Sequence, residues 1–312
     1  MKVVGVIEHG GPDALQIIEV PDPAAGPGTI RIRVHAATVN PTDTYVRNGA
    51  RAAQQKDQTA PYVPGMDAAG VVDQIGDGTE TDLQVGDHVM AIVLPDGSHG
   101  AYSELLVVPA QSAVRVPAGV DDAAASTLPM NGLTAQLGLD LMGLQPGQTL
   151  AVTGAAGCYG GYTVQLAKAA GLRVIADASE ADTELVRSLG ADVVVPRGPD
   201  VAAAIRAVVP EGVDGLADGS VQDAALFGAI KDGGCMATVR GFKGPADRDI
   251  TVHPIWVRDY WKARDKLDGL RQLVEAGAVT LRVADTVPKE QAAEAHRRLE
   301  AGGTRGRLVI RF

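Results

Sequence analysis

The sequence has only two cysteines among its 312 residues, Cys158 and Cys235. Two thiols cannot form a disulfide framework, and they are too few for a structural zinc site built from four thiolates. The chain contains no run of 18 or more apolar residues, and its first residues, MKVVGVIEHGG, are too short and polar for a signal peptide. We therefore expect a cytoplasmic protein in a reduced compartment, with no membrane contact.

Aromatic and basic residues are also scarce. Aromatic residues make up 4% of the chain, and 38 acidic residues outnumber 28 Lys and Arg, for a net charge of −10. A general surface for nucleic acid needs clustered basic residues, so we expect no nucleic-acid partner. The core must be built mainly from Val, Ile, Leu and Ala, and the length predicts about two domains.

Two patterns of secondary structure follow one another along the chain. Up to about residue 120, short strands separated by Gly and Pro predict a barrel or sandwich, beginning with the alternation at 29–39. From residue 131, strands and helices alternate, which predicts parallel βαβ units. The predicted helices are 131–143, 159–170, 180–189, 199–208, 221–231, one from 258 and one over 288–301; the strands among them are 149–153, 173–177, 192–195, 213–217 and 235–239.

A glycine-rich segment lies between the strand at 149–153 and the next helix. Gly154, Gly157 and Gly160 recur at a spacing of three. Glycines permit a tight turn and close backbone approach, and a helix amino terminus offers N–H groups to a pyrophosphate. The candidate cofactor-binding loop is therefore GAAGCYG, which comprises Gly154, Ala155, Ala156, Gly157, Cys158, Tyr159 and Gly160.

The residue that would bind the adenosine ribose is ambiguous in the sequence. Asp177 lies 17 residues after Gly160, close to the spacing of an acid that binds the ribose of NAD. It is either that acid or one position too early and directed away. Arg187 and Arg197 are alternative candidates that would instead meet the 2′-phosphate of NADP.

Several motifs spread over the whole length resemble one known family. They are VNPTDTYVRNG at 39–49, PGMDAAG at 64–70, VGDHV at 85–89, GAYSE at 100–104, NGLTA at 131–135, GAAGCYG at 154–160, LAKAAG at 166–171 and LGAD at 189–192. In this set the chain resembles the zinc-free quinone oxidoreductase branch of the medium-chain dehydrogenase/reductase family. The resemblance implies an α/β protein with a GroES-like β-rich catalytic domain (1–120 and 255–312) and a Rossmann doubly wound parallel-sheet domain that binds the cofactor (121–254). It also implies a homodimer formed through the Rossmann sheet edge.

The catalytic zinc ligands of related enzymes are absent here. Zinc-bearing relatives have a Cys followed by G-x-D, and then G-H-E, whereas this chain has Asn40-Pro41-Thr42-Asp43 and Gly65-Met66-Asp67. A lone carboxylate and a thioether hold zinc poorly, so we expect no metal. The six histidines (9, 35, 88, 99, 253 and 296) show no ligand spacing in the sequence, and we interpret all of them as structural.

The absence of zinc ligands restricts the reactions that we expect of this protein. Hydride addition to a plain ketone makes a basic alkoxide that needs a Lewis acid or a well-placed proton donor. Addition to a quinone or an enone spreads the charge over a conjugated system, so modest hydrogen-bond donors suffice. The resemblance implies the same reaction, the NAD(P)H-dependent reduction of quinones or α,β-unsaturated carbonyls.

The resemblance also assigns catalytic residues. Asn40 would bind near the reacting carbonyl or the ribose, and Tyr45 would donate its hydroxyl to the developing oxyanion. A buried turn residue and a core tyrosine are the structural alternatives. We interpret Asp43 and Arg47 as a structural ion pair. Arg51 stands where many members of the branch have an aromatic residue, and it is either solvated or favours a more polar or anionic acceptor.

Further cofactor contacts follow from the resemblance. Met130, Asn131 and Thr134 would approach the nicotinamide, Thr134 above all, while Gly241 and Phe242 would cover its carboxamide. Ala178, followed by Ser179, would occupy the acid position and so admit NADP. Arg197 and Arg307 would supply positive charge, and we therefore expect NADPH rather than NADH. Cys158 is either a small tolerated residue or a thiol made modifiable by the helix amino terminus.

Two other functions are compatible with the sequence. One is an enoyl-thioester reductase on the same scaffold. The other is a non-catalytic, NADPH-binding structural or sensor protein. Turnover of quinones, of enoyl thioesters or of neither would separate these possibilities.

Overall fold

The computed structural model describes residues 1–50, 52–54, 57–244 and 247–312. Arg51, with its predicted substrate contact, lies outside the described residues. The chain divides into two compact units. The first comprises Met1–Met130, Arg258–Glu275 and Leu281–Phe312, and the second comprises Asn131–Val257 and Ala276–Thr280. The predicted domain boundary at 120/121 lies ten residues before the first of these divisions.

The described residues form fifteen strands and eight α-helices. The strands are β1 (Lys2–Gly5), β2 (Gln16–Glu19), β3 (Thr29–Thr38), β4 (Asp67–Ile75), β5 (His88–Ile92), β6 (Leu105–Pro109), β7 (Ala113–Arg115), β8 (Thr149–Thr153), β9 (Arg173–Ala178), β10 (Val193–Pro196), β11 (Val213–Asp218), β12 (Ile230–Thr238), β13 (Thr251–Pro254), β14 (Val283–Pro288) and β15 (Arg307–Arg311). The helices are α1 (Pro41–Asn48), α2 (Asp122–Ala125), α3 (Pro129–Met142), α4 (Cys158–Ala169), α5 (Thr183–Ser188), α6 (Val201–Val208), α7 (Arg264–Glu275) and α8 (Ala292–Ala301).

The first unit is built on a mostly antiparallel sheet. Its strand order is β14-β15-β3-β4-β5-β7, and β6 pairs separately with β3. The alternation predicted for β3 is present, since Ile30, Ile32 and Val34 are buried while the side chain of Arg33 is exposed. The strand β3 is central in this sheet, because it pairs with β4, β6 and β15. The polar site of this unit begins directly after β3 in the chain.

The second unit contains a parallel sheet with the order β10-β9-β8-β11-β12-β13. Counted from its first strand, β8, this is the order 3-2-1-4-5-6 of a doubly wound sheet. Successive strands are added on one side of β8 up to β10 and on the other side from β11 onward, so the strand order reverses between β8 and β11. In such sheets ligands bind at this point, at the carboxyl ends of the strands. The glycine loop follows β8, so the fold places it at this edge.

Several predicted helices are wrong in part. The helix predicted from 258 begins at Arg264, after the 3-10 segment Val257–Tyr260, and the helix predicted over 180–189 opens with the 3-10 segment Glu180–Asp182. Residues 221–231 contain a 3-10 segment, Asp223–Ala229, and then the start of β12. The Asp218 carboxylate accepts the backbone N–H groups of Val221, Gln222 and Asp223, and both Val221 and Asp223 have positive φ, so the chain turns here instead of beginning a helix.

The helix predicted over 288–301 begins later, at Ala292. Pro288 ends β14 instead of opening the helix, and the 3-10 segment Lys289–Gln291 lies between them. The strand β14 is largely exposed, so its sequence carries no burial alternation that could have predicted it.

No helix within residues 1–50, 52–54, 57–244 and 247–312 is both long enough and apolar enough to span a bilayer.

Candidate cofactor and catalytic sites

The glycine loop makes the turn from β8 into α4 in the second unit. Gly154 has φ +67°, a left-handed conformation that favours glycine, and the N–H of Gly157 donates to its carbonyl at 3.0 Å. Gly157 is the N-cap of α4, and Cys158, only 6% exposed, is the first helical residue. The first N–H groups of an α-helix lack intrahelical partners, an arrangement that suits an anion.

Gly160 brings the helix close to the turn. A Cβ atom at residue 160 would lie 2.4 Å from the carbonyl oxygen of Gly154 and 2.8 Å from the Cα of Ala155. Both neighbours are backbone atoms, so the turn would have to move to admit a side chain. The third glycine is therefore required by packing between the loop and its own helix, the role that glycine has in dinucleotide-binding turns.

The neighbouring turn is held by a buried carboxylate that no sequence motif marks. Asp218, at the end of β11, accepts the hydroxyl of Thr153 at 2.8 Å and the hydroxyl of Ser220 at 3.0 Å, in addition to the backbone N–H groups after the strand. Gly219 packs against the loop, because a Cβ at Gly154 would lie 2.8 Å from its carbonyl carbon. Asp218 thus fixes the turn beside the loop.

Asp177 does not occupy the position expected of an acid that binds the ribose. Asp177 is 4% exposed, and its carboxylate accepts the N–H of Ala155 at 3.1 Å. Burial raises the pKa of this carboxyl, and hydrogen bonds from the loop backbone oppose the effect. The side chain therefore faces the loop, and Ala178 is the residue that ends β9.

Three of the predicted adenosine contacts lie together beside Asp177. Pro196 of β10 pairs with Ala178, and the N–H of Arg197 donates to the carbonyl of Ala178 at 2.9 Å. Ser179 is the N-cap of the following 3-10 segment, and the side chain of Arg197 is exposed. A small residue and an available guanidinium thus occupy the edge where a nucleotide ribose would lie.

The residues of this unit fit a dinucleotide. The loop combines a left-handed glycine, a helix amino terminus and a close approach that a Cβ would block. Arg197 supplies positive charge, and the carboxylate of Asp177 is turned inward.

The remaining predicted contacts of this unit are Asn131, which is buried, Thr134, Gly241 and Phe242. Thr134 is half-buried on α3. Gly241 has φ +81°, and its successor Phe242 accepts the hydroxyl of Thr238 on its carbonyl at 2.9 Å. The ring of Phe242 packs against Phe227 at 6.1 Å between centroids, so it has at least a packing role, and its contact with a nicotinamide stays a prediction.

In the first unit, Asn40 and Asp67 form a buried pair. Asn40 is fully buried at the N-cap of α1, and its amide donates to Asp67 at 2.6 Å. The other carboxylate oxygen of Asp67 accepts the N–H of Met130 at 2.6 Å. Asp67 thereby ties the start of α1 to the start of α3, and the predicted role of Asn40 at a substrate stays a prediction.

A chain of hydrogen bonds continues from Asp43 to the surface. Asp43 accepts the N–H of Asn40 at 2.7 Å and the hydroxyl of Tyr102 at 3.2 Å. The phenol oxygen of Tyr102 lies 3.1 Å from Nε2 of His296. Arg47 lies 3.2 Å from Nδ1 of the same ring, and because Arg47 can only donate, His296 donates from Nε2 to Tyr102.

The predicted Asp43–Arg47 ion pair is wrong. Arg47 instead pairs with Glu300, whose carboxylate lies 2.6 Å from the guanidinium. Asp43 is held by backbone N–H groups and by Tyr102, as the N3 partner in the capping box of α1. The two side chains lie one turn apart on α1, but tertiary contacts give each a different partner.

Burial dominates the electrostatics of this network. It raises the pKa of Asp43 to about 7, with Asp67 adding repulsion, and it raises the pKa of Asp67 to about 7 against the hydrogen bonds from Met130 and Asn40. It also lowers the pKa of His296 to about 3, with Arg47 contributing. Near neutral pH the network therefore holds a neutral imidazole beside carboxyls that titrate there.

Two other predicted residues also belong to this unit. Tyr45 is half-buried on α1. Arg307, at the start of β15, is 8% exposed, and its charge lowers the pKa of Asp67. These surroundings give Arg307 a charge-balancing role in the carboxyl network, and its contact with a cofactor phosphate stays a prediction.

The donor set around residues 40–67 does not fit zinc. Neither a thiolate nor an imidazole comes from Asn40-Pro41-Thr42-Asp43 or Gly65-Met66-Asp67. Both oxygens of Asp67, and both of Asp43, already accept hydrogen bonds from buried donors. A cation there would break these bonds.

Two known protein domains match different parts of the chain. Residues 26–118 match the alcohol dehydrogenase GroES-like domain, and residues 189–310 match the zinc-binding dehydrogenase domain. The chain is 31% identical to a 2-haloacrylate reductase from Burkholderia sp., with 99% of each chain covered. It is 34% identical to the chloroplastic quinone-oxidoreductase QR1 of Triphysaria versicolor, over 63% of this chain and 61% of that protein.

A solved structure extends the comparison to the fold. Mycobacterial Rv1454c, solved in complex with NADPH, superposes with a TM-score of 0.86 at 28% identity, covering all of both chains. Together with a full-length relative above 30% identity, these matches establish the family. The chain is an oxidoreductase of the medium-chain dehydrogenase/reductase family, with a GroES-like domain and a Rossmann domain.

Proposed function

We propose that this protein reduces quinones or α,β-unsaturated carbonyls with NADPH, by direct hydride transfer and without a metal. The proposal depends on the presence of two features in one chain. The Rossmann sheet has an intact glycine loop at its switch point, and the donors of residues 40–67 do not fit zinc. The haloacrylate reductase and the quinone oxidoreductase among its relatives act, by name, on conjugated acceptors.

NADPH supplies the hydride when bound, and the residues of the chain bind and orient it. The loop at 154–160 would hold the pyrophosphate, and Arg197 beside Ala178 would hold the 2′-phosphate. Hydride addition to a conjugated acceptor leaves an enolate or a quinol anion, which takes one proton to complete the reduction. Tyr45 or a water molecule would supply that proton.

The proposed activity is tested by following NADPH and NADH oxidation against a panel of quinones, enones and enoyl thioesters, with EDTA present. We expect faster turnover with NADPH, activity with quinones or enones, and no loss in EDTA. Turnover confined to enoyl thioesters would support the thioester reductase instead. Tight NADPH binding without turnover of any acceptor would identify a non-catalytic protein, and strong inhibition by EDTA would contradict the metal-free mechanism.

Arg197→Ala should weaken the use of NADPH specifically. Loss of a hydrogen bond to a charged group costs about 1.5–3 kcal/mol, so we expect the KM for NADPH to rise about tenfold or more while the KM for NADH is unchanged. Arg187→Ala tests the alternative candidate and serves as the comparison: because Arg187 is exposed and paired with Glu184 at 2.6 Å, we expect this variant to leave both KM values unchanged. Equal effects of Arg197→Ala on both cofactors would exclude the assigned phosphate contact.

We further propose that the protein is a cytoplasmic homodimer that binds neither nucleic acid nor membranes. The proposal rests on the acidic net charge of −10 and on the family resemblance. Sedimentation analysis would measure the oligomeric state, and a monomer across micromolar concentrations would contradict it.

A further inference from the structure

We propose that His35, His88 and Asp122 form a binding site for a divalent transition-metal cation of the zinc type, away from residues 40–67. Among the residues that the structure describes, this is the place where three side chains of metal-binding type bring their ligand atoms within 4.8 Å of one another. From the sequence both histidines were expected to be structural, because 53 residues separate them and they show no ligand spacing.

The fold brings the three residues together from three elements of the first unit. His35 lies on β3 where the register with β4 shifts between Val34 and Ala36. His88 is the first residue of β5, and Asp122 is the first residue of α2. His35 is the extra residue at this register shift, and the ring centroids of His35 and His88 lie 5.9 Å apart.

Both imidazoles present the same nitrogen to one carboxylate. Nδ1 of His35 lies 2.7 Å from Oδ2 of Asp122, and Nδ1 of His88 lies 3.1 Å from Oδ1 and 3.2 Å from Oδ2. Without a metal, protons on the nitrogens occupy these contacts. A cation between the three groups would replace those protons, and each neutral imidazole would then carry its proton on Nε2.

The donor chemistry selects the class of metal. Two imidazole nitrogens and one carboxylate oxygen suit Zn²⁺ and its neighbours in the first transition series, whereas Mg²⁺ and Ca²⁺ prefer oxygen ligands. His88 and Asp122 also line a surface hollow of about 450 Å³, which leaves room for water on the remaining coordination positions. The cation would link β3, β5 and α2.

Neighbouring carboxylates are engaged elsewhere, so the cluster is distinct from a general acidic surface. Asp121 accepts the N–H of Ala124 at 2.8 Å as the N-cap of α2. Asp87 pairs with Arg115 at 2.8 Å. In contrast, the Asp122 side chain is 14% exposed and faces the two imidazoles, which are 41% and 54% exposed and accessible to a cation from solvent.

The site is tested by titrating Zn²⁺ into EDTA-stripped, gel-filtered protein and measuring bound zinc by calorimetry. We expect one saturable Zn²⁺ site per chain and no comparable heat with Mg²⁺. His35→Gln, His88→Gln and Asp122→Asn should each weaken zinc binding at least about tenfold, since even loss of an outer-shell partner costs that much. Zinc should also raise the melting temperature of the wild type, and raise that of the variants less.

Matched controls separate this site from adventitious binding. His253→Gln and Asp285→Asn make the same side-chain changes outside the cluster and should leave zinc affinity unchanged, and melting curves in EDTA check that each variant is folded. Absence of a saturable zinc site, or affinity that survives both His35→Gln and Asp122→Asn, would refute the proposal. The readout does not involve reductase activity, so it is independent of the proposed function.

Discussion

Gly160→Ala should weaken NADPH binding by about a hundredfold. The new methyl group would lie 2.4 Å from the carbonyl oxygen of Gly154 and 2.8 Å from the Cα of Ala155, so the loop backbone must shift. In catalysis a misplacement of about 1 Å costs on the order of a hundredfold in rate, and we expect a loss of the same order in affinity when the loop backbone shifts. Fluorescence titration with NADPH measures the change, and melting curves report whether the altered packing also lowers stability.

Gly228→Ala is the matched control for this substitution. Gly228 belongs to the same unit, its φ is not positive, and a Cβ there would meet no atom within 4 Å. The same chemical change should therefore leave the NADPH affinity near that of the wild type. If Gly160→Ala bound NADPH as tightly as Gly228→Ala does, the close approach of helix and loop would have no role in the cofactor site.

The second large effect concerns Asp67, whose buried carboxyl should make stability fall as pH rises. Its pKa is about 7 in the folded protein and 3.8 when unperturbed, so its favourable contribution is complete below 3.8 and is lost as pH rises through 7. One pKa unit corresponds to 1.36 kcal/mol. We therefore expect the wild type to lose roughly 2–3 kcal/mol relative to Asp67→Asn between pH 5 and 8.

The comparison between wild type and variant removes the other titrating groups. His296 acts in the opposite sense, because its lowered pKa makes stability rise with pH up to about 6.5, but it is present in both proteins. Asp43 is coupled to Asp67 by repulsion, so neutralising Asp67 also eases ionisation of Asp43 and adds to the expected difference. If the substitution also changes the free energy of unfolding by an amount that does not depend on pH, the slope of the difference against pH stays the same.

Urea unfolding at several pH values measures this slope. Asp285→Asn is the control, because Asp285 is exposed and Arg298 lowers the pKa of its carboxyl, which places its pH effect below 3.8. The difference in the free energy of unfolding between Asp285→Asn and the wild type should stay constant between pH 5 and 8. A flat difference for Asp67→Asn as well would show that this carboxyl is ionised throughout the range.

Much of the cofactor unit could be predicted from the sequence. The strand, the three glycines and the helix that follow one another at 149–170 are contiguous, and their geometry is set by local backbone preferences. The alternation in β3 similarly predicted which of its side chains are buried. In contrast, the helix expected at 221–231 was prevented by Asp218, a carboxylate outside that segment.

The sequence alone determined the strand, glycine turn and helix at 149–170 and the absence of zinc ligands at 40–67, because each depends on residues adjacent in the chain. Only the tertiary structure decided which polar groups meet. Arg47 and His296 are 249 residues apart, and His35 and Asp122 are 87 apart. Such contacts depend on strand pairing and on a shift in register, and neither leaves a periodic signal in the residues that come together.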